Sequence, residues 1–169
     1  MALVAPLLSR LVLERQAQAG AFVGACFSDP ALALLREISQ RPVFGIGECA
    51  VLEALARGER FGVIAMGRSA LGRHLRTYGA MGVLERFAGE RAVDLSMLRL
   101  ADREVTLQRM LEVGRELRDL HQADVLIMGC AGMALSVGLG LGTPAAPSAG
   151  MWPFIVTLIA AVMAVVQLI

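Results

Sequence analysis

Short apolar runs alternate with longer amphipathic stretches along most of this chain. The short runs have the length and β-branched content of buried strands, and the longer stretches repeat apolar residues at helical spacing. Strands are predicted near residues 21–25, 42–45, 61–66 and 93–100, and helices near 3–19, 30–40, 48–57, 69–78 and 102–121. The last helix has a start signal, with Asp102 as N-cap and Glu104 in its first turn. This alternation predicts an α/β fold with a mostly parallel sheet.

Charge is balanced along the part of the chain that carries it. The sequence of 169 residues has 16 basic and 15 acidic side chains, a formal net charge of +1. Basic and acidic residues are often neighbours, as in Arg36-Glu37 and Glu59-Arg60, which is typical of a solvated face. The composition therefore argues against nucleic acid as a partner. The length suits one domain or two small lobes.

The last quarter of the chain is different, because no charged side chain occurs from Val125 to Ile169. Residues 151–169 approach the roughly 20 apolar residues that span a bilayer. They lack flanking Lys or Arg, and Pro153 suits the first turn of a soluble helix. The pattern favours a buried terminal helix; a membrane segment and a tail that drives association are the alternatives.

Two cysteines close apolar runs in similar surroundings. Cys26 ends the run that begins at Ala21, Cys130 ends the run that begins at Val125, and a helix-start signal follows each. The carboxyl ends of strands are where α/β folds place ligands. A thiolate at the amino end of a helix has a lowered pKa, which would make it a base or nucleophile near neutral pH. A lone cysteine is often a packed apolar residue; the repeated context favours chemistry.

The other candidate ligands favour structural roles. Cys49 lies on a predicted first helical turn and is expected to be a packed or half-buried thiol. No Cys-x-x-Cys pair exists, and His74 and His121 each lie among charged helical residues, so both histidines are predicted to be exposed and no metal site is expected. Three cysteines without a secretory-type leader are typical of a reducing cytoplasm.

Aligning Cys26 with Cys130 indicates a weak internal duplication. It predicts two lobes, one of residues 1–60 together with about 143–169, and one of residues 61–142. The two thiols would then face each other across a cleft.

Four segments resemble successive landmarks of the Asp/Glu/hydantoin racemase family. They are Ala-Cys-Phe-Ser-Asp-Pro at 25–30, Pro-Val-Phe-Gly-Ile-Gly-Glu at 42–48, Arg-Phe-Gly-Val-Ile at 60–64 and Met-Gly-Cys-Ala-Gly-Met-Ala at 128–134. The resemblance covers residues 3–134, and Gly-Cys-Ala-Gly-Met is its most diagnostic part.

The resemblance implies a cofactor-independent racemase with two pseudo-symmetric, Rossmann-like lobes and one catalytic cysteine from each, Cys26 and Cys130. Inversion beside a carbonyl needs a base on one face and an acid on the other, which a thiolate and a thiol can supply. Backbone N–H groups after each cysteine would stabilise the carbanion's oxygen, and glycines would allow close approach of the ligand. The substrate-binding residues implied are Phe27, Ser28, Gly129, Ala131 and Gly132. Two alternatives to direct contact with the ligand are equally open: the glycines serve tight packing, and Asp29 caps a helix.

The chain also departs from the family. Members carry a first strand with an Asn-rich substrate loop before the region where this resemblance begins, and Ala65-Met66-Gly67 replaces a hydroxyl residue. The leading hypothesis is a racemase of an amino acid or a cyclic derivative such as a hydantoin or allantoin, with a small-molecule substrate and a homo-oligomeric state. A related decarboxylase or cis–trans isomerase is the enzymatic alternative. The non-enzymatic alternative is an inactive, shortened protein that serves as a binding, oligomerisation or membrane-tethered module.

Overall fold

The computed structural model describes residues 2–100, 102–129, 142–143 and 146–147. Six α-helices lie in this part of the chain: α1 (Ala5–Arg15), α2 (Leu32–Ile38), α3 (Ile46–Arg57), α4 (Leu71–Ala80), α5 (Met97–Leu100) and α6 (Arg103–Asp119). The strands described are β1 (Phe22–Gly24), β2 (Val43–Gly45), β3 (Phe61–Ala65), β4 (Phe87–Ala92), β5 (Val125–Met128), β6 (Gly142–Thr143) and β7 (Ala146–Pro147). Asp102 caps α6 as predicted, accepting a hydrogen bond from the Val105 N–H at 3.2 Å.

The two larger sheets described are parallel. β1 pairs with β2, and a three-stranded sheet has the order β4-β3-β5 with both pairings parallel. The short strands β6 and β7 pair in antiparallel fashion. The predicted α/β fold with mostly parallel sheets is confirmed.

Strand β3 lies at the centre of the larger core, and all five of its residues are buried. Because side chains alternate across a strand, Phe61 and Val63 pack on one face with Val51 of α3 and Tyr78 of α4. Ile64 packs on the opposite face with Val113 and Leu117 of α6, among others. Helices therefore cover both faces of this sheet, as the apolar run at 61–65 requires. The smaller sheet has its own core, built around Val12, Leu35 and Val43.

One predicted strand is wrong. Residues 93–100 alternate polar and apolar side chains, but the strand in this region is β4, six residues earlier, and Met97–Leu100 is a helix. Asp94 adopts a left-handed conformation with φ 49°, which ends the extended run. Strand β4 has the sequence Phe-Ala-Gly-Glu-Arg-Ala and lies at the edge of the described sheet. Its two charged residues interrupt the apolar run that would have predicted a strand.

In the part of the chain that the structure describes, no helix is both long enough and apolar enough to cross a membrane. The apolar tail of residues 151–169, predicted to be a buried helix with a membrane segment as an alternative, lies outside the described residues.

Candidate active site

The loop that follows β1 carries Cys26. The Asp29 N–H donates to the Cys26 carbonyl at 2.9 Å, which closes a turn over Phe27 and Ser28, and the cysteine itself is half-buried. The next helix, α2, begins at Leu32, six residues after Cys26 and two residues later than predicted.

Asp29 anchors this loop to a different helix. Its carboxylate accepts hydrogen bonds from the N–H groups of Gly47 at 3.1 Å and Glu48 at 2.7 Å, in the first turn of α3. Asp29 is thus a helix cap, but of α3 and not of the helix that follows it in the sequence. Burial raises its pKa to about 6, although the two N–H donors favour the charged form.

Phe27 anchors the same loop to the larger core. It is buried in the cluster of Phe61, Val63 and Tyr78. A Cβ on Gly129 would lie 3.3 Å from Cδ1 of Phe27 and 3.2 Å from the Ile64 carbonyl oxygen. The residue after Cys26 therefore packs against the residue before Cys130. This supports the tight-packing interpretation of Gly129, whose N–H also donates to the Ile64 carbonyl at 3.1 Å.

Gly47 offers a direct test of this anchoring. A methyl group on Gly47 would overlap the carbonyl oxygen of Phe27 and approach the Asp29 carboxylate, so α3 and the cysteine loop would have to move apart. We expect Gly47→Ala to lower the free energy of unfolding by about 2–4 kcal/mol, measured by urea denaturation. Gly67→Ala is the matched control, because a Cβ there meets nothing within 4 Å and φ is −150°. Equal, small effects of both substitutions would contradict the close packing.

Ser28 begins a chain of three polar side chains. Its Oγ lies 3.0 Å from Nε2 of His74, and Nδ1 of His74 lies 2.6 Å from Oε2 of Glu90. His74 is buried, with 4% of its surface exposed, and the Glu90 side chain is 3% exposed. The Phe27 ring packs edge-on against the imidazole, with centroids 5.2 Å apart.

The prediction of exposed histidines is wrong. Arg73 and Arg76 suggested a solvated surface around His74, but His74 and Tyr78 are four residues apart and share the buried face of α4. That i, i+4 spacing was the available signal, and sequence reasoning missed both His74 and Glu90. His121 is half-buried, with Nε2 in contact with a guanidinium nitrogen of Arg91.

The main-chain N–H groups of Phe27 and Ser28 lie in the turn that follows Cys26. Among the described residues neither donates a hydrogen bond to the protein. The predicted residues Cys130, Ala131 and Gly132 lie outside the described residues, so only Cys26, Phe27, Ser28 and Gly129 of the predicted site can be placed.

Cys49 is half-buried on α3, as predicted. Burial and the nearby carboxylates of Asp29 and Glu48 raise its pKa, which disfavours its thiolate.

Within residues 2–100 and 102–129, no three side chains of His, Cys, Asp or Glu are grouped to hold a metal ion. A pocket of about 320 Å³ lies apart from Cys26, between β4 and α6, and Arg68, Glu90, Arg109 and Glu116 contribute to its lining.

Comparison with known proteins gives a family match over nearly the whole chain. Residues 2–168 match the family described as Asp/Glu/Hydantoin racemase. The chain belongs to this racemase family. It is 36% identical over 119 residues to a hydantoin racemase of Rhizobium meliloti, covering 68% of this chain and 48% of that protein. A hydantoin racemase of Pseudomonas sp. (strain NS671) is 30% identical over 115 residues, covering 68% and 46%. The chain thus spans about half the length of these curated relatives.

Solved structures of the racemase fold are also similar. An allantoin racemase from Klebsiella pneumoniae superposes with a TM-score of 0.63 at 24% identity, covering 92% of this chain and 66% of that one. An allantoin racemase from Pseudomonas fluorescens gives a TM-score of 0.65 at 22% identity, covering 97% and 71%. At these identities the likeness shows the fold.

Proposed function

We propose that this member of the family is a cofactor-independent racemase of a cyclic amino-acid derivative of the hydantoin or allantoin class, with Cys26 and Cys130 as its two proton-transfer groups. The observation that carries the proposal is the packing of Phe27 against Gly129. These residues are the chain neighbours of the two cysteines, so this contact brings the backbones next to both thiols together.

The reaction follows from two thiols on opposite faces of the substrate. The thiolate of one cysteine takes the α-proton, and the electron pair of the C–H bond moves onto the adjacent carbonyl oxygen to give an enolate. The thiol of the other cysteine then gives its proton to the opposite face of the same carbon. The cysteines exchange roles for the reverse direction, as general acid–base catalysis requires.

The N–H groups of Phe27 and Ser28 can stabilise the enolate oxygen. They lie in the turn that follows Cys26 and have no hydrogen-bond acceptor among the described residues. Both ends of this turn are held, because Phe27 is buried in the core and Asp29 caps α3. Donors held in place before the reaction stabilise developing charge without reorganising, which is the basis of an oxyanion hole.

The similarity to hydantoin racemases supports a cyclic amide as the substrate of this chain. A test is proton NMR in deuterated buffer with single enantiomers of 5-substituted hydantoins, allantoin, aspartate and glutamate. We expect loss of the α-proton signal, together with decay of optical rotation, for a hydantoin or for allantoin. Absence of exchange for all four, in a folded sample, would contradict racemase activity and favour a binding module. Exchange confined to aspartate or glutamate would contradict the substrate class.

We also propose that the chain forms a homo-oligomer, which the apolar surface of α1 supports. Leu7 and Leu11 are 68% and 50% exposed and lie one helical turn apart. Cytoplasmic location stays a prediction from the sequence.

A further inference from the structure

The proton arrangement of the buried His74–Glu90 pair decides what Ser28 can do. Glu90 has no ion pair other than that with His74 among the described residues. Its second oxygen, Oε1, is buried without a hydrogen-bond partner there. An uncompensated carboxylate in such a place is costly, so the arrangements that leave the pair with no net charge are favoured.

Two proton arrangements leave the pair neutral overall and give each of its hydrogens an acceptor; a third, with Glu90 protonated on Oε1, would leave that buried O–H without one among the described residues. In the first, Glu90 is ionised and His74 is an imidazolium with hydrogen on both ring nitrogens. In the second, Glu90 is protonated and donates to Nδ1, and the neutral imidazole carries its hydrogen on Nε2. Both place a hydrogen on Nε2, the nitrogen that lies 3.0 Å from Ser28 Oγ. In either arrangement His74 is the donor and Ser28 the acceptor of this hydrogen bond.

A serine hydroxyl that accepts from His74 keeps its own O–H free to donate elsewhere. Ser28 is half-buried and lies two residues after Cys26, in the turn where the N–H groups of Phe27 and Ser28 donate to no described residue. The hydroxyl thus adds a third donor to the same turn. If Nε2 carried no hydrogen, the Ser28 hydroxyl would donate its hydrogen to His74. Only the lone pairs of the hydroxyl oxygen would then be left for a ligand.

We propose that the Ser28 hydroxyl donates a hydrogen bond to the enolate oxygen of the substrate, and that the buried pair of His74 and Glu90 holds it as a donor. This inference rests on the proposed racemase function. Ser28 would be a catalytic residue, and His74 and Glu90 positioning residues. A hydroxyl donor at Ser28 binds a carbonyl oxygen that gains negative charge, and it does not bind a ring N–H. No proton leaves Ser28 in this step, which is hydrogen bonding alone.

Kinetics of matched variants of the 169-residue chain test the proposal. Ser28→Ala is expected to lower kcat for racemisation about 10- to 100-fold with KM changed less than about threefold, because the donor acts on the developing charge. Ser28→Thr, which keeps the hydroxyl, should restore most of kcat.

Two variants of His74 test the positioning role. In His74→Gln the amide nitrogen can take the place of Nε2, and in His74→Asn it can take the place of Nδ1. His74→Gln should therefore retain more kcat than His74→Asn.

A merely structural role predicts a different result. Ser28→Ala would leave kcat unchanged, or the Gln and Asn variants of His74 would lose kcat equally while circular dichroism shows them folded. Either result would overturn the proposal. Labelling of Ser28 by a fluorophosphonate would also overturn it, because it would identify a nucleophilic serine in place of a hydrogen-bond donor.

The donor direction can be measured without activity. Two-bond ¹H–¹⁵N correlation spectra of the histidine-labelled chain, with His121→Gln to leave His74 as the single histidine, report which ring nitrogens carry hydrogen. We expect a protonated Nε2 at pH 7, and a bare Nε2 would contradict the donor assignment itself. A wild-type chain that does not racemise would instead contradict the proposed function, and with it the role toward an enolate, so the two failures are distinguishable.

Discussion

Replacing Cys26 by serine is expected to lower kcat for racemisation by about 10²- to 10⁴-fold, the usual contribution of a general acid or base. A hydroxyl has nearly the same size as a thiol but is far too weakly acidic to become an anion near pH 7. The change therefore removes the proton-transfer group with little effect on packing. Optical rotation of a single hydantoin enantiomer, followed over time, measures the loss.

Cys49→Ser is the matched control for this prediction. Cys49 is also a half-buried thiol, but it lies on α3, and burial raises its pKa, so its loss should change kcat by less than about twofold. Equal losses in the two variants would contradict a specific role for Cys26. So would racemisation by Cys26→Ser at the wild-type rate.

The two-base mechanism predicts a further signature of the Cys26 variant. Cys130 alone can still take the α-proton from the enantiomer that presents it to that side, and can return a deuteron to the same face. Slow exchange without inversion is thus expected for one enantiomer in deuterated buffer, and none for the other. Exchange of both enantiomers at equal rates would contradict the assignment of one cysteine to each face.

Phe61→Ala is expected to give the largest loss of stability, about 3–5 kcal/mol, because it removes a large side chain from a closed core. Phe61 has 0% of its surface exposed. Its ring packs edge-on against Tyr78, with centroids 5.3 Å apart, and at a tilt against Phe87 at 5.5 Å. The cavity would lie between β3 and α4, and urea denaturation followed by circular dichroism measures the effect.

Leu52→Ala provides the comparison for this substitution. Leu52 is 53% exposed on α3, so its truncation leaves no cavity and should cost about 0.5 kcal/mol or less. A loss below about 1 kcal/mol for Phe61→Ala would show that the core collapses around the deleted ring or that the aromatic cluster contributes little.

Local patterns in the sequence were sufficient for most of the architecture. The apolar runs at β1, β2 and β3 predicted strands, because a strand buried on both faces must be apolar throughout. Asp102 predicted the start of α6, because a cap depends on residues within one helical turn. The motifs around Cys26 and Cys130 predicted the family, which the match over residues 2–168 confirms.

The tertiary structure decided what depends on distant partners. Strand β4 carries two charged residues, Glu90, which binds His74, and Arg91, which binds Glu116, and no local pattern shows those contacts. Asp29 caps α3, not α2, because the fold places the turn after β1 beside the first turn of α3.

His74 shows the same division most clearly. The sequence by itself predicted a helix near residues 69–78 with a histidine among arginines, and two cysteines after apolar runs. Only the fold determined that this histidine is buried between Ser28 and Glu90, partners 46 and 16 residues away in the chain. Helical periodicity depends on neighbours three or four residues apart, whereas a buried hydrogen-bond chain depends on how separate strands and helices pack together.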